Sequence, residues 1–320
     1  MLDAATNNGT NPASDAREAR DNTFWSDNIR TFRIAARLGW QVEGNWADPF
    51  VFFIFTILRP LATALILVLM YTVIAGGQKP QFFNYLYLSN ALFVLVIQTM
   101  SGLAWTVLDD RENYKMLKYI FTSPARQIAY FMGRAVAKIS LGLLTMAVLL
   151  VVGVLFLGLQ IDIAKIEWGL LAIYFVLGMI TLVSLGLILA GIALVIARNG
   201  AAIGEVVAGC LLLFSGAYFP VDVLPAVIRE ISLGMPITYW LEGMRRAING
   251  GTLTFVADGT NGTIAGVQPI SPALAGIDDW QLLAIMGISA VVCSVVSYFF
   301  YQWVENQAKE RGMIDRLTGY

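Results

Sequence analysis

The sequence predicts an all-α membrane protein with six transmembrane helices, and three observations carry that prediction. Apolar residues make up 58 % of the chain against 13 % charged, with a mean hydropathy of +0.68, a balance that points to a polytopic membrane protein rather than a soluble domain. Six apolar runs, near or above the ~20 residues that cross ~30 Å of hydrocarbon, are separated by polar or Gly/Pro-rich breaks. Lys and Arg fall unevenly on the two sides these runs define. Histidine is absent, which removes the commonest general base and metal ligand and argues against catalysis by this chain alone. Cys210 and Cys293 lie far apart inside apolar runs, so they read as small buried hydrophobes rather than a redox or metal pair.

Residues 1–22 are polar and lack an apolar stretch, as in a disordered cytoplasmic tail, so the first span is expected to serve as its own insertion signal. From Phe24 to Trp46 aromatics mix with Arg30, Arg33 and Arg37. Ile29, Phe32, Ala36 and Trp40 share one helical face, which predicts an interfacial helix on the membrane surface. The first span, about 50–75, is roughly 37 Å long as a helix and carries Arg59-Pro60. Pro60 marks a kink, and Arg59 either snorkels toward the surface or faces a cavity. A Gly-Gly-Gln-Lys-Pro turn at 76–80 leads to the second span, about 83–108.

The mixed segment Asp109 to Arg134 follows. Asp109, Asp110 and Glu112 sit as a capping box would. Tyr114, Leu117, Ile120 and Phe121 then recur at helical spacing, and Thr122-Ser123-Pro124 stops the helix. This short amphipathic helix needs a partner for its stripe, either lipid headgroups or another protein. The third span, about 127–159, is roughly 50 Å of helix, so its early part with Arg134 and Lys138 is expected to project into water. The fourth, about 168–197, is rich in small residues (Gly178, Ser184, Gly186, Ala190, Gly191) that permit close helix packing. The fifth is about 201–219, with Glu205 at headgroup depth. Two Pro-bounded pieces then read as short helices dipping into the outer part of the membrane or lying on it. In the second piece Ile237, Leu241, Met244 and Ile248 form an apolar face, and Glu242 can pair with Arg245 or Arg246. Thr252 to Asp279 reads as a surface loop, 280–304 as the sixth span with aromatics at both ends, and 306–320 as a cytoplasmic tail. The Lys/Arg bias places both termini and the 109–134 segment in the cytoplasm of a plasma (inner) membrane protein. Phe55, Tyr87 and Trp105, with Arg59, are candidates to line a substrate path, since ring faces stack on sugars and flat drugs.

Two ordered clusters make the chain resemble the membrane subunit of ABC-2 type transporters. One is Arg111-Glu112, Tyr114 to Phe121, Thr122-Ser123-Pro124 and Gly133-Arg134. The other is Ser215-Gly216, Phe219-Pro220, Leu224-Pro225, Pro236-Ile237-Thr238-Tyr239 and Arg245. The resemblance covers about residues 30–305; the 252–279 loop is longer than a minimal member needs. It implies two copies of the permease, a homodimer, around a central path, with two ATP-binding cassette subunits beneath. It also implies a cytoplasmic coupling helix, with Asp110, Glu112, Tyr114, Leu117, Ile120 and Phe121 docked in the ATPase. The two short helices between spans five and six would be re-entrant and close an outer gate, with Phe219, Pro220, Pro225, Pro236, Tyr239 and Arg245. No G-x-x-x-x-G-K-[ST] occurs in the chain, so ATP and its magnesium are expected on the separate subunit and no cofactor on this one. The implied function is ATP-driven export of an amphipathic or polymeric substrate (drug, lipid or lipid-linked glycan), with no nucleic-acid partner. The alternative is an ATP-independent secondary transporter or channel, which calls for mid-membrane ionisable groups and an internal repeat that the sequence does not display.

Overall fold

A computed structural model describes residues 12–45, 48–75, 80–123, 126–196, 200–256 and 267–310. Among them five helices are long and apolar enough to cross a membrane: Pro49–Met70, Phe83–Asn113, Gln127–Phe156, Trp168–Val195 and Asp279–Glu310. They match the expected spans one, two, three, four and six. The expected fifth span is instead a 15-residue helix, α9 (Gly200–Phe214), only about 22 Å long. Gly216, in the left-handed region at φ 74°, turns the chain at the foot of α9, a conformation glycine adopts without steric cost.

The remaining elements in chain order are α1 (Pro12–Asn45), then span one as α2 (Pro49–Phe53) and α3 (Arg59–Ala75), and span two as α4 (Pro80–Val96) and α5 (Gly102–Leu108). After them come α6 (Leu117–Thr122), span three as α7 (Gln127–Phe156) and span four as α8 (Trp168–Val195). Beyond α9 lie α10 (Ala226–Leu233), α11 (Pro236–Asn249), strands β1 (Thr254–Val256) and β2 (Val267–Pro269), α12 (Pro272–Ala275) and span six, α13 (Asp279–Glu310). The kink expected at Pro60 is a π turn over Ile54–Leu58. Proline has no N–H for the carbonyl four residues back and its ring crowds that carbonyl, and the wider turn relieves both. Residues 1–11 and 311–320 of the expected tails, and the turns at 76–79 and 197–199, lie outside the described residues. Residues 12–22, expected in the tail, belong to α1.

Span two is the centre of the bundle. Its most apolar stretch is 78 % buried within the protein, against 17 % for span one, so the other elements assemble around it. Small residues set the approach distances, as the sequence of span four predicts. Gly186 lies over Met100 and Leu103, and a Cβ there would come within 2.7 Å of Leu103 Cδ1. Gly204 of α9 sits against Ser101 and Ala104, and Ser101 Oγ donates to the Gly204 carbonyl at 2.8 Å. Ser184 and Ser294 meet at 3.1 Å between spans four and six, and Tyr87 donates to the Leu149 carbonyl of span three at 2.7 Å.

Three expectations change, those for the cysteines, for 252–279 and for α11. Helix α1 packs on the start of span three through Ala35 and Gly39 and leaves Ile29, Phe32, Ile34 and Trp40 exposed. The opposing pair is Gly133 and Ala137; a Cβ on Gly133 would meet the Phe32 carbonyl at 2.5 Å. Two small residues four apart on each helix allow that approach. Cys210 is exposed and Cys293 half-buried, because α9 and α13 turn those faces outward. The 252–279 stretch is not merely surface loop: β1 and β2 pair antiparallel with Thr254 opposite Pro269, and Ile270, Ser271 and Leu274 are buried. Helix α11 does not lie on a surface either, since Ile237, Thr238 and residues 240–248 are buried.

A bulky residue at the α1–span three crossing has no room. Gly133→Leu is expected to destabilise the protein by about 1–3 kcal/mol and to loosen α1, so that cleavage at its surface arginines becomes faster. Thermal unfolding in detergent and limited trypsin cleavage at Arg30, Arg33 and Arg37 check this.

Candidate functional site

The 109–134 segment does not begin a new helix at Asp109. Span two runs on through a π turn over Asp109–Asn113, with Asp109 helical at φ −59° and ψ −47°, so the acidic run cannot act as an N-cap. The helix stops at Tyr114–Met116, where Lys115 takes φ 53°, a strained value for a residue with a side chain. The Met116 amide still reaches the Asp110 carbonyl at 2.9 Å, and the six-residue α6 then starts at Leu117.

The π turn carries the polar chemistry of this end. Asp110 is 0 % exposed; it accepts from the Tyr130 hydroxyl at 2.8 Å and from Arg134 Nη2 at 3.5 Å, both on span three. Arg134 thereby keeps one long contact, and its Nε and Nη1 find no hydrogen-bond partner among the described residues. Arg111, 3 % exposed, points elsewhere. Its Nη2 donates to the carbonyls of Ala193 and Leu194 at 3.2 and 2.7 Å, in the last turn of span four. Carbonyls in the last turn of a helix generally lack an intrahelical donor, and a cation at a helix C-terminus is also favoured by the dipole. Lys138 pairs with Glu43 of α1, its stem lying over Gly102. The early part of span three is therefore not bathed in water as expected: its two cations are buried and find acids on span two and α1.

The apolar stripe divides. Leu117 (1 % exposed) and Phe121 are buried in the protein's own core, Ile120 is partly buried, and Glu112 is half-buried. Tyr114, Lys115, Lys118 and Tyr119 are exposed, Tyr119 to 74 %. The surface this segment presents is thus aromatic and cationic, not the Leu117–Phe121 face.

A second polar cluster lies at the opposite end of the bundle, on α11. Glu242 accepts from Arg245 Nη2 at 2.9 Å and from Arg246 Nε at 3.0 Å, so it pairs with both arginines, and all three are buried. Arg245 Nη1 reaches Ser89 Oγ at 2.7 Å and the Gly216 carbonyl at 3.2 Å, and its guanidinium stands 4.2 Å over the Tyr85 ring, a cation–π contact. Arg246 donates to the Leu274 carbonyl at 2.6 Å, to the Ile277 carbonyl at 2.7 Å and to Asp279 at 3.2 Å. Asp222 accepts from Ser271 Oγ at 2.8 Å and from the Ala273 amide at 3.0 Å, capping α12 from across the chain. Helix α10 hangs on α11 through Thr238 Oγ1 to the Ser232 carbonyl, 2.8 Å, and the Tyr239 hydroxyl to the Leu233 carbonyl, 2.6 Å. Of the other outer-gate candidates, Pro220 is buried, Pro236 half-buried, and Phe219 and Pro225 exposed.

The substrate-path candidates are not brought together in one copy. Tyr87 is buried inside the bundle, whereas Phe55, Arg59 and Trp105 are exposed. Sequence reasoning missed Arg111 as a helix cap and Arg246 as the tie to α12 and span six. Their carbonyl partners lie 28 to 83 residues away in sequence, so no local signal marks them.

Long apolar helices around a polar-tipped core define a multi-pass membrane protein. Residues 34–249 match the ABC-2 type transporter family, and since that is more than half of the chain, the protein belongs to that family. The match contains both polar clusters except Asp279 and the α12 segment. No curated protein compared with the chain matches it.

Leu117→Asp is expected to cost several kcal/mol, because it buries a charge without a partner, whereas Tyr119→Asp is expected to stay within about 0.5 kcal/mol. Glu242→Ala strands two buried guanidinium groups and is expected to cost about 3–5 kcal/mol. Thermal midpoints of the three detergent-solubilised variants check all three outcomes.

Proposed function

We propose that the chain is the membrane subunit of an ATP-driven exporter for an amphipathic or polymeric substrate such as a drug, a lipid or a lipid-linked glycan. One observation carries the reading. The 114–122 segment presents Tyr114, Lys115, Lys118 and Tyr119 outward while Asp110 and Arg111, immediately before it, are buried on spans three and four. A surface so mounted transmits a push instead of yielding to it. Membership of the ABC-2 family and the missing P-loop support a separate ATP-binding cassette subunit, which would hold ATP and magnesium, as the source of the push. Two such subunits would serve two copies of this chain.

In this reading the end bearing α6 faces the cytoplasm, in keeping with its Lys and Arg, and α10–α12 face outward. Helix α9 runs from Ser101 of span two toward Gly216 beside Tyr85 at the outer end and makes the fifth crossing, with α10–α11 a re-entrant pair beside its outer end. Closure of the ATPases on nucleotide moves the coupling segment, and α10–α11 open or seal the outer end. An ion-coupled transporter is disfavoured because the buried charged networks gather at the two ends of the bundle instead of its middle.

The test is co-purification of the full chain with its ATP-binding subunit. Lys118→Glu with Tyr119→Asp is expected to weaken that association at least ~10-fold, about 1.4 kcal/mol, with the thermal midpoint unchanged. Undiminished association in a folded double variant would sink the docking surface, and absence of any ATPase would sink the reading.

A further inference from the structure

The polar clusters at the two ends of the bundle share two helices, span two, which carries Arg111 at one end and Ser89 and Tyr85 at the other, and span four. Span four, α8, is held at its last turn by Arg111, through the carbonyls of Ala193 and Leu194. Near its first turn the Glu167 amide donates to the Ala247 carbonyl of α11 at 2.9 Å. One turn further on, Gly243 of α11 fits against the Tyr174 ring; a Cβ there would come within 2.8 Å of Cδ1. Gly178 lies directly under Trp240, where a Cβ would stand 2.0 Å from the indole Nε1. The ring and the glycine therefore have no freedom to slide past each other.

Span four is also the member suited to carry force. Its 28 residues form one helix without a π turn, about 42 Å long, while spans one and two are both interrupted by π turns. Span three is equally continuous, and Asp110 grips it. Its far half, however, returns to span two, with Tyr87 bonded to the Leu149 carbonyl and Gly153 seated on the Tyr87 ring. Displacing span three thus pushes back on span two near Tyr87. Span four also packs on span two, through Gly186 against Met100 and Leu103, but its far end meets α11, and through Thr238 and Tyr239 α10.

We propose that span four is a rod that carries displacement of the 109–122 segment to the α10–α11 pair, with Arg111 and Trp240 as positioning residues at its two ends. The proposal rests on the reading of that segment as docked on an ATPase. Nothing reacts along the rod; what is transmitted is a shift of one packed helix, of the kind bistable helix packing allows.

The experiment uses the full chain with its ATP-binding subunit in vesicles, on a Cys210→Ser, Cys293→Ser background with Val227→Cys on α10. Val227 is 72 % exposed. The readout is the rate of labelling at the Val227→Cys position by a membrane-impermeant maleimide, with ATP and vanadate against no nucleotide. The background is expected to change its rate at least ~5-fold between the two states, the lower end of ordinary inter-site coupling. Arg111→Met and Trp240→Phe should each bring the ratio close to one. Arg111→Lys, which keeps a cationic donor, should restore part of it, and thermal midpoints exclude unfolding as the cause. The Arg111→Met, Trp240→Phe double variant should be no worse than either single, because a rod released at one end is already released. A ratio that survives either substitution in a folded protein, or single effects that multiply, overturns the rod alone. A background without any nucleotide response overturns the exporter reading and the rod with it.

Discussion

Helices that end inside a protein leave carbonyl groups facing no donor, and in an apolar bundle water does not supply one. In this permease, buried arginines meet that need. Arg111 closes the last turn of span four. Arg245 takes the Gly216 carbonyl just beyond α9. Arg246 takes those of Leu274 and Ile277 around the end of α12. In each case a guanidinium with several fixed donors bonds carbonyls on one side and, for Arg245 and Arg246, Glu242 on the other. A lysine offers only a point charge and reaches fewer partners in a fixed geometry. The positions of the short helices α9, α11 and α12 follow from these bonds as much as from apolar packing.

Glycine does the complementary work. Gly133, Gly178, Gly186, Gly204 and Gly243 each receive a neighbouring helix or ring at a distance that a methyl group would forbid or strain. Apolar association gains little inside lipid, where the surroundings are as apolar as the helix, so close van der Waals fit and hydrogen bonds carry specificity. The two devices meet on span four. It is gripped by an arginine at one end and fitted under a tryptophan through a glycine at the other.

Much of this was legible in the sequence. The expected 127–159, 168–197 and 280–304 became 127–156, 168–195 and 279–310, because long apolar runs leave a helix little choice. The small-residue face of span four also emerged as expected. Helix α9 was overestimated because hydropathy counts apolar residues and does not see that Gly216 turns the chain. The acidic run at Asp109 resembled a helix start only because a continuing helix with a π turn leaves no local mark. The stripe of Leu117 and Phe121 was visible, but no pattern states whether a stripe is covered by a partner or by its own protein; here span six and the core of the bundle cover it. Arg134 and Lys138 were assigned to water because their acids, Asp110 and Glu43, lie far away in sequence. The same distance hides the bonds of Arg111.

That separation has a consequence for how the chain is made. In the two ion pairs between different helices described at the α6 end, the acid is synthesised first: Glu43 waits for Lys138 and Asp110 for Arg134, just as Arg111 waits for the end of span four. Until those later helices arrive, each group needs water or headgroups to remain ionised. Their location at the end of the bundle, not its middle, gives them that shelter. Membrane insertion can then proceed helix by helix, and the charges leave water only when the segment that neutralises them folds against them.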